Sequence, residues 1–207
     1  MQSEWLPRAL EESRARGFLG PGAIGPQITH AEGFAQCWEM DHPTPPISFL
    51  DLGSGGGLPG LVLLDRWRTR AVFTDSIAKR VVFLREILGQ AGVTQSAEVV
   101  AGRVEEIARL DGMTEAFDLV TSRSFGSPSV TAECGSRFLR IGGVMIVSEP
   151  PDDAQSDRWD SAALLTLGLV SAGRVRRGAA FQILRKISAT PLEYPRAIGI
   201  PKKRPLY

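Results

Sequence analysis

Apolar residues recur at helical spacing near the N-terminus and in short unbroken runs beyond residue 46. Ser3 to Arg16 places Leu6, Ala9 and Leu10 on one face and predicts a helix. Glycines and prolines between Gly17 and Pro26 break it. Ile28 to Met40 predicts a second helix, with Ile28, Ala31, Phe34, Ala35 and Trp38 on one stripe. Three prolines in Asp41–Pro46 form a stiff linker. The pattern then changes period. Short apolar runs at Ile47–Leu52, Ala71–Asp75, Ala97–Ala101, Phe117–Ser122 and Gly142–Ser148 read as buried strands. Helical segments Leu61–Trp67, Ile77–Gly89 and Glu133–Leu139 separate several of them. Leu164–Ala172 and Ala179–Ile187 read as a closing antiparallel pair. Alternating strands and helices predict an α/β fold: a doubly wound, Rossmann-like sheet, mostly parallel, with an antiparallel C-terminal hairpin. The expected organisation is a helical cap and linker over 1–46, a ligand-binding α/β domain over 47–190, and a basic tail over 191–207.

The chemistry concentrates where the first strand ends. Five of the eight residues Gly53–Gly60 are glycine. Glycine admits positive φ and lets a ligand approach without a Cβ in the way. Strand, glycine loop and helix together place a nucleotide-like ligand over a helix N-terminus. Gly55, Gly57 and Gly60 fit G-x-G-x-x-G, the dinucleotide fingerprint. Asp51 with Gly53, Gly55 and Gly57 fits D-x-G-x-G-x-G, the first motif of class I S-adenosylmethionine (SAM) methyltransferases. A carboxylate at the strand end suits the ammonium and sulfonium of SAM and repels a pyrophosphate, so Asp51 favours SAM. Asp75 ends the second strand, 22 residues after Gly53. An acid at that distance binds ribose hydroxyls, or serves as a cap for the next helix. Val104 and Glu105 follow the third strand, where a doubly wound fold meets the base; first-turn helix acids are the plainer reading of Glu105 and Glu106.

Composition narrows the class. Hydrophobic residues make up 43% of 207 and charged residues 23%, ordinary for a globular chain. No apolar run approaches the ~18 residues of a membrane span. Cys37 and Cys134 form no framework, and with His30 and His42 they show no metal-ligand spacing, so no metal is expected. The expectation is a cytoplasmic monomer. Net charge is +1, but nine of the 24 bases and one of the 23 acids fall in Arg174–Tyr207. Met1–Gly173 therefore holds 15 bases and 22 acids: a body of −7 carries an end of +8. That asymmetry suits contact with a polyanion, or simply a solvated basic surface.

Four stretches carry a family resemblance: D-L-G-S-G-G-G-L-P-G-L-V-L at 51–63, K-R-x-x-F-L-R at 79–85, G-R-V-E-E at 102–106 and S-R-S-F at 122–125. Together with Y-P-R-A-I-G-I-P-K-K-R-P-L at 194–206 they resemble the bacterial small-subunit rRNA methyltransferase G family, also called glucose-inhibited division protein B. The family's R-H-x-x-D-S motif before the first strand has only His30 as its counterpart, and S-R-A-F reads S-R-S-F. The resemblance implies a class I methyltransferase that moves the methyl of SAM to N7 of a guanine in 16S rRNA, naked or in the 30S subunit. It implies SAM contacts from Asp51, Gly53, Ser54, Gly55, Gly57 and Leu58 of the loop, from Asp75, and from Val104 and Glu105 at the adenine. Arg123 would lie beside cofactor and target, as the candidate catalytic residue. Arg123, Phe125, Lys202, Lys203 and Arg204 are the candidate RNA contacts, Arg123 through guanine O6 or a phosphate and Phe125 through stacking; an ion pair with Asp118 or Asp51 is the alternative for Arg123. Guanine N7 has a lone pair and no proton to lose, so no general base is needed. Ser122–Phe125 lacks the [N/D]-P-P-[Y/F] of amino-group methyltransferases. A small-molecule methyltransferase with the cap as its lid, and a non-catalytic SAM-binding module, are the alternatives.

Overall fold

The computed structural model describes residues 3–151 and 158–207. Strands β1 (Ser48–Leu52), β2 (Arg70–Asp75), β3 (Ala97–Ala101), β4 (Phe117–Ser122) and β5 (Leu139–Glu149) run parallel. Strand β6 (Leu169–Arg177) pairs antiparallel with β7 (Ala179–Lys186), which pairs antiparallel with β5. The order across the sheet is β3-β2-β1-β4-β5-β7-β6. The chain reverses direction across the sheet between β1 and β4, which opens a crevice at their carboxyl ends. The glycine loop lies at that switch point because it directly follows β1.

Both faces of β1 are covered, so its residues are all buried. Phe49 joins the core on one side, with α1 (Trp5–Ala15), α2 (Ile24–Glu39), α3 (Gly60–Trp67) and α4 (Ala78–Gln90). Leu50 and Leu52 join the other, with α5 (Val104–Ile107), α6 (Pro128–Ser136) and α7 (Ser161–Thr166). The N-terminal helices share this core: Leu6, Leu10, Phe34 and Trp38 are in one cluster with Phe49, Leu119 and Ile146. Phe34 meets Phe181 of β7 edge-on, at 4.8 Å between ring centroids.

Several boundaries differ from the sequence expectation, each for a local reason. Helix α2 begins at Ile24 rather than Ile28. Pro26 is no obstacle there, because the N–H groups of a first turn have no intrahelical acceptor. Helix α6 spans Pro128–Ser136 rather than Glu133–Leu139, with Pro128 opening its first turn. Strand β5 accordingly starts at Leu139, three residues before the expected Gly142. The predicted strand Leu164–Ala172 is divided. Asp160 caps α7 by accepting from the Ala163 N–H at 2.7 Å, and Gly168 at φ +74° ends that segment. Strand β6 then runs on through Gly173, which sits in a register shift, so the hairpin turns at Gly178.

Candidate active site

The loop after β1 is held mostly by polar groups of β1 and β2. Ser54 donates its hydroxyl to the Asp51 carbonyl at 3.0 Å and accepts from the Thr74 N–H at 3.1 Å. Thr74 in turn donates its hydroxyl to the Asp51 carbonyl and accepts from the Gly53 N–H. The carboxylate of Asp51 is 1% exposed. It accepts from the Thr121 hydroxyl at 3.0 Å on one oxygen and from the Gly60 N–H at 3.2 Å on the other. Asp51 thus stands behind the loop and ties it to β4 and to the start of α3. Burial pushes its carboxyl up to about 6, against the pull of the Thr121, Ser54 and Gly60 hydrogen bonds and of the Arg123 charge. Leu58 is 5% exposed and packs in the core under the loop, and Gly57 donates its N–H to the Ser54 carbonyl. Gly55 has φ +55°, with no atom closer than 3.8 Å to an added Cβ, so this corner of the loop is open to a ligand. Gly56 faces the cap: a Cβ there would lie 2.5 Å from Ser13 Oγ and 2.9 Å from the Phe18 carbonyl.

In front of the loop lies a cavity of about 250 Å³. Gly53, Asp75, Val104, Glu105, Phe125 and Lys202 all wall it. The Asp75 carboxylate spans the gap between loop and α4, accepting from the Gly55 N–H at 2.9 Å and the Ile77 N–H at 2.8 Å. Arg80 stands 3.7 Å from it. Glu105 accepts from the Gly199 N–H at 3.0 Å through one oxygen. Its second oxygen is buried with no hydrogen-bond partner among the described residues. Asp51, Ser54, Gly55, Gly57, Leu58 and Arg123 are outside this wall.

Arg123 points to the cap side of β4. Its Nη2 donates to Gln27 Oε1 of α2 at 3.4 Å, and its Nη1 is buried without a partner among the described residues. Asp118 is taken up by Arg140 and by the Ser48 N–H. Burial lowers the Arg123 pKa and the Asp51 charge opposes that. One helical turn on, His30 Nε2 meets Ser148 Oγ at 2.8 Å. Burial and the Arg123 charge both lower the His30 pKa, favouring the neutral ring. Burial likewise pushes up the thiol of Cys134, which walls the cavity, so it is held protonated.

Residues 33–157 match the family model for rRNA small subunit methyltransferase G (GidB). The chain belongs to that family. A member from Fervidobacterium nodosum is 32% identical over 164 residues, covering 76% of each chain. One from Moorella thermoacetica is 34% identical over 170 residues, 78% of this chain and 70% of that one. The fold also resembles the O-methyltransferase TomG from Streptomyces achromogenes, solved with SAM: TM-score 0.60, 17% identity, 91% and 92% coverage. The SAH-bound Podospora anserina methyltransferase PaMTH1 gives 0.58, with 14% identity and 90% and 89% coverage.

In this member of the family the C-terminal residues form a strap across α5 and α6. Arg109 donates to the carbonyls of Leu192 and Pro195 at 3.0 and 2.8 Å. Arg196 grips the fully buried Glu133 carboxylate through Nε and Nη2, at 2.9 and 2.6 Å. The strap ends in the short helix α8 (Ile200–Lys203), which brings Lys202 to the cavity and leaves Lys203 and Arg204 exposed. The sequence did not single out Ser76, Ile77, Arg80, Gly102, Arg103, Ser124 and Val130, which with Cys134 complete the wall. Arg80, Gly102, Arg103 and Ser124 stood inside the quoted family motifs, and Ser76 and Ile77 between Asp75 and α4; Val130 had no signal. Gln27 was likewise missed, although the retained His30 marked its helix. Among the described residues no helix is long and apolar enough to cross a membrane, and no group of three His, Cys, Asp or Glu could hold a metal.

Proposed function

We propose that this chain transfers the methyl of SAM to N7 of a guanine in 16S rRNA. The match of residues 33–157 to the family carries this reading, because that span holds both the glycine loop and the end of β4. The cavity fits the cofactor by its chemistry. The Asp75 carboxylate sits where ribose hydroxyls would donate, with Ile77, Val104 and Val130 as apolar walls for adenine. The unpartnered Glu105 oxygen offers an acceptor for an adenine amine. Gly53 and Gly55 present bare backbone to the amino-acid end, and the unpartnered Nη1 of Arg123 is a donor for a carboxylate.

Bound there, SAM supplies an electrophilic methyl on a cationic sulfur. The chain itself positions and excludes water. Asp51, Ser54, Gly57 and Leu58 hold the loop from behind. Asp51 also places a desolvated negative charge near the cofactor's cationic end. Phe125, in contact range of Gly53, offers a ring face to a nucleobase. Lys202, Lys203 and Arg204 supply positive charge at the mouth for phosphates. The test is methyl transfer from tritiated SAM to unmethylated 16S rRNA, naked and in 30S subunits, with the labelled position mapped. Label at guanine N7 is expected. SAM binding without rRNA label would move the acceptor to a small molecule under the N-terminal cap.

A further inference from the structure

A second cleft, of about 310 Å³, abuts the first. Ser124 and Phe125 wall both, so the turn after β4 is a partition between them. The second cleft has its own polar lining in Ser122, Thr131, Ser148 and Glu149. Ser122 and Thr131 are each 1% exposed, and neither hydroxyl has a hydrogen-bond partner among the described residues. Buried hydroxyls are normally paired, so two orphans in one cleft mark groups that a ligand completes. The Glu149 side chain is 5% exposed and faces the same space. It accepts from Arg158 Nη1 at 2.6 Å on one oxygen and from Trp159 Nε1 at 3.2 Å on the other. Each carboxylate oxygen keeps a further acceptor position, and Arg158 balances the charge.

We propose that this cleft seats the acceptor guanine, with N7 at the Ser124–Phe125 partition and the Glu149 carboxylate accepting from N1–H and the exocyclic N2–H. This rests on the guanine-N7 reading above. The fit follows from the shape of the base. The Watson–Crick edge of guanine points away from N7, and Glu149 belongs to the second cleft alone while the partition belongs to both. Adenine presents an acceptor at N1, which a carboxylate repels, so the same group selects against it. During transfer the N7 lone pair forms the bond to the methyl carbon as that carbon's bond to sulfur breaks. The electron pair stays on sulfur, leaving a neutral thioether, and the base becomes cationic without losing a proton. Positive charge on the ring makes N1–H a stronger donor, so the Glu149 contact tightens as the reaction proceeds.

Two variants and one altered substrate test this. Thr131→Val removes an unpaired hydroxyl at nearly constant shape, so unfolding stability should hold or rise and SAM affinity should not change. Its kcat/KM on 16S rRNA should fall about tenfold. Glu149→Gln should lower kcat/KM by about tenfold to a hundredfold with SAM affinity retained. Inosine in place of the mapped guanosine lacks the N2 amine. Wild type should use it about tenfold less well, and Glu149→Gln should lose that discrimination. Full activity of Thr131→Val together with unchanged guanosine-over-inosine preference in Glu149→Gln would overturn the assignment while leaving guanine-N7 transfer intact. Absence of guanine label with wild type would instead remove the reading it rests on, and this assignment with it.

Discussion

Asp51→Asn tests how the glycine loop is held. Burial raises the Asp51 carboxyl from its ordinary 3.8 to about 6. At about 1.36 kcal/mol per pH unit, that difference corresponds to roughly 3 kcal/mol. The folded chain holds this proton more tightly than the unfolded chain does. The resulting contribution to stability is fully present below pH 3.8 and is lost as pH rises through about 6. Near neutrality the fold therefore carries an ionised carboxylate at a cost, which the Thr121 hydroxyl, the Gly60 N–H and the Arg123 charge offset only in part. Asparagine keeps one acceptor and the shape but does not titrate. It leaves one of the two donors without its acceptor, a loss of about 1–3 kcal/mol that is independent of pH. Urea unfolding of both proteins from about pH 4 to about pH 8 isolates the titrating part. The stability of Asp51→Asn relative to wild type should climb by roughly 2.4 kcal/mol between the ends of that range, the rest of the difference lying below about pH 4. A difference flat to within about 1 kcal/mol would show that the carboxyl titrates normally, and the account of the buried loop would fail. If SAM's cationic end lies nearby, the same ionisation should tighten SAM binding as pH rises through about 6 in wild type alone.

Other substitutions address the loop, the strap and the RNA face. Gly56→Ala should cost about 1–3 kcal/mol in denaturant unfolding, because its Cβ would press on Ser13, Leu19 and the Phe18 carbonyl; wild-type stability would mean α1 yields freely. Arg196→Ala strands the buried Glu133 carboxylate and should cost roughly 3 kcal/mol. A melting temperature unmoved by that change would show that the strap is not anchored there. Lys203→Ala with Arg204→Ala should lower the slope of log affinity for rRNA against log salt by about 1.4–1.8 while leaving SAM binding alone. An unchanged slope would remove these two residues from the RNA face.

Much of the fold was legible because its central strands are buried on both faces and read as plain apolar runs. Phe49, Leu50 and Leu52 needed no partner to be recognised as strand. What failed was set by backbone chemistry rather than periodicity. Pro26 looked like a breaker but lies in a first turn, where its missing N–H costs nothing. Gly173 looked like a turn but lies inside β6, paired with Ile183 just past the bulge at Ala172, and the hairpin reverses at Gly178. Leu164 looked like strand but is held in α7 by the Asp160 cap, five residues before β6 begins.

The candidate site shows where reading by motif reaches its end. D-x-G-x-G-x-G located the loop, but the motif does not say which of its residues face a ligand and which face the protein. Asp51 and Leu58 turn inward to the core, and Gly56 makes room for α1. Only Gly53 of the motif walls the cavity, with Gly55 at an open corner beside it. The remaining wall comes from three other strand ends and from the strap, segments far apart in sequence that meet because the parallel strands all end at one edge. The charge asymmetry was visible as a count, yet a count cannot tell an ion pair from an exposed cation. Among the bases of that end, Arg196 holds the strap down through the buried Glu133 and Arg185 pairs with Asp41. The positive charge left for an anionic partner is therefore smaller than the composition implies, and beside the cavity it is concentrated at and just after α8. That concentration puts Lys202 at the cavity and Lys203 and Arg204 outside it. Phosphate binding at the mouth would thus be set by one anchored segment, and methyl transfer by the turn after β4 that faces it across the cavity.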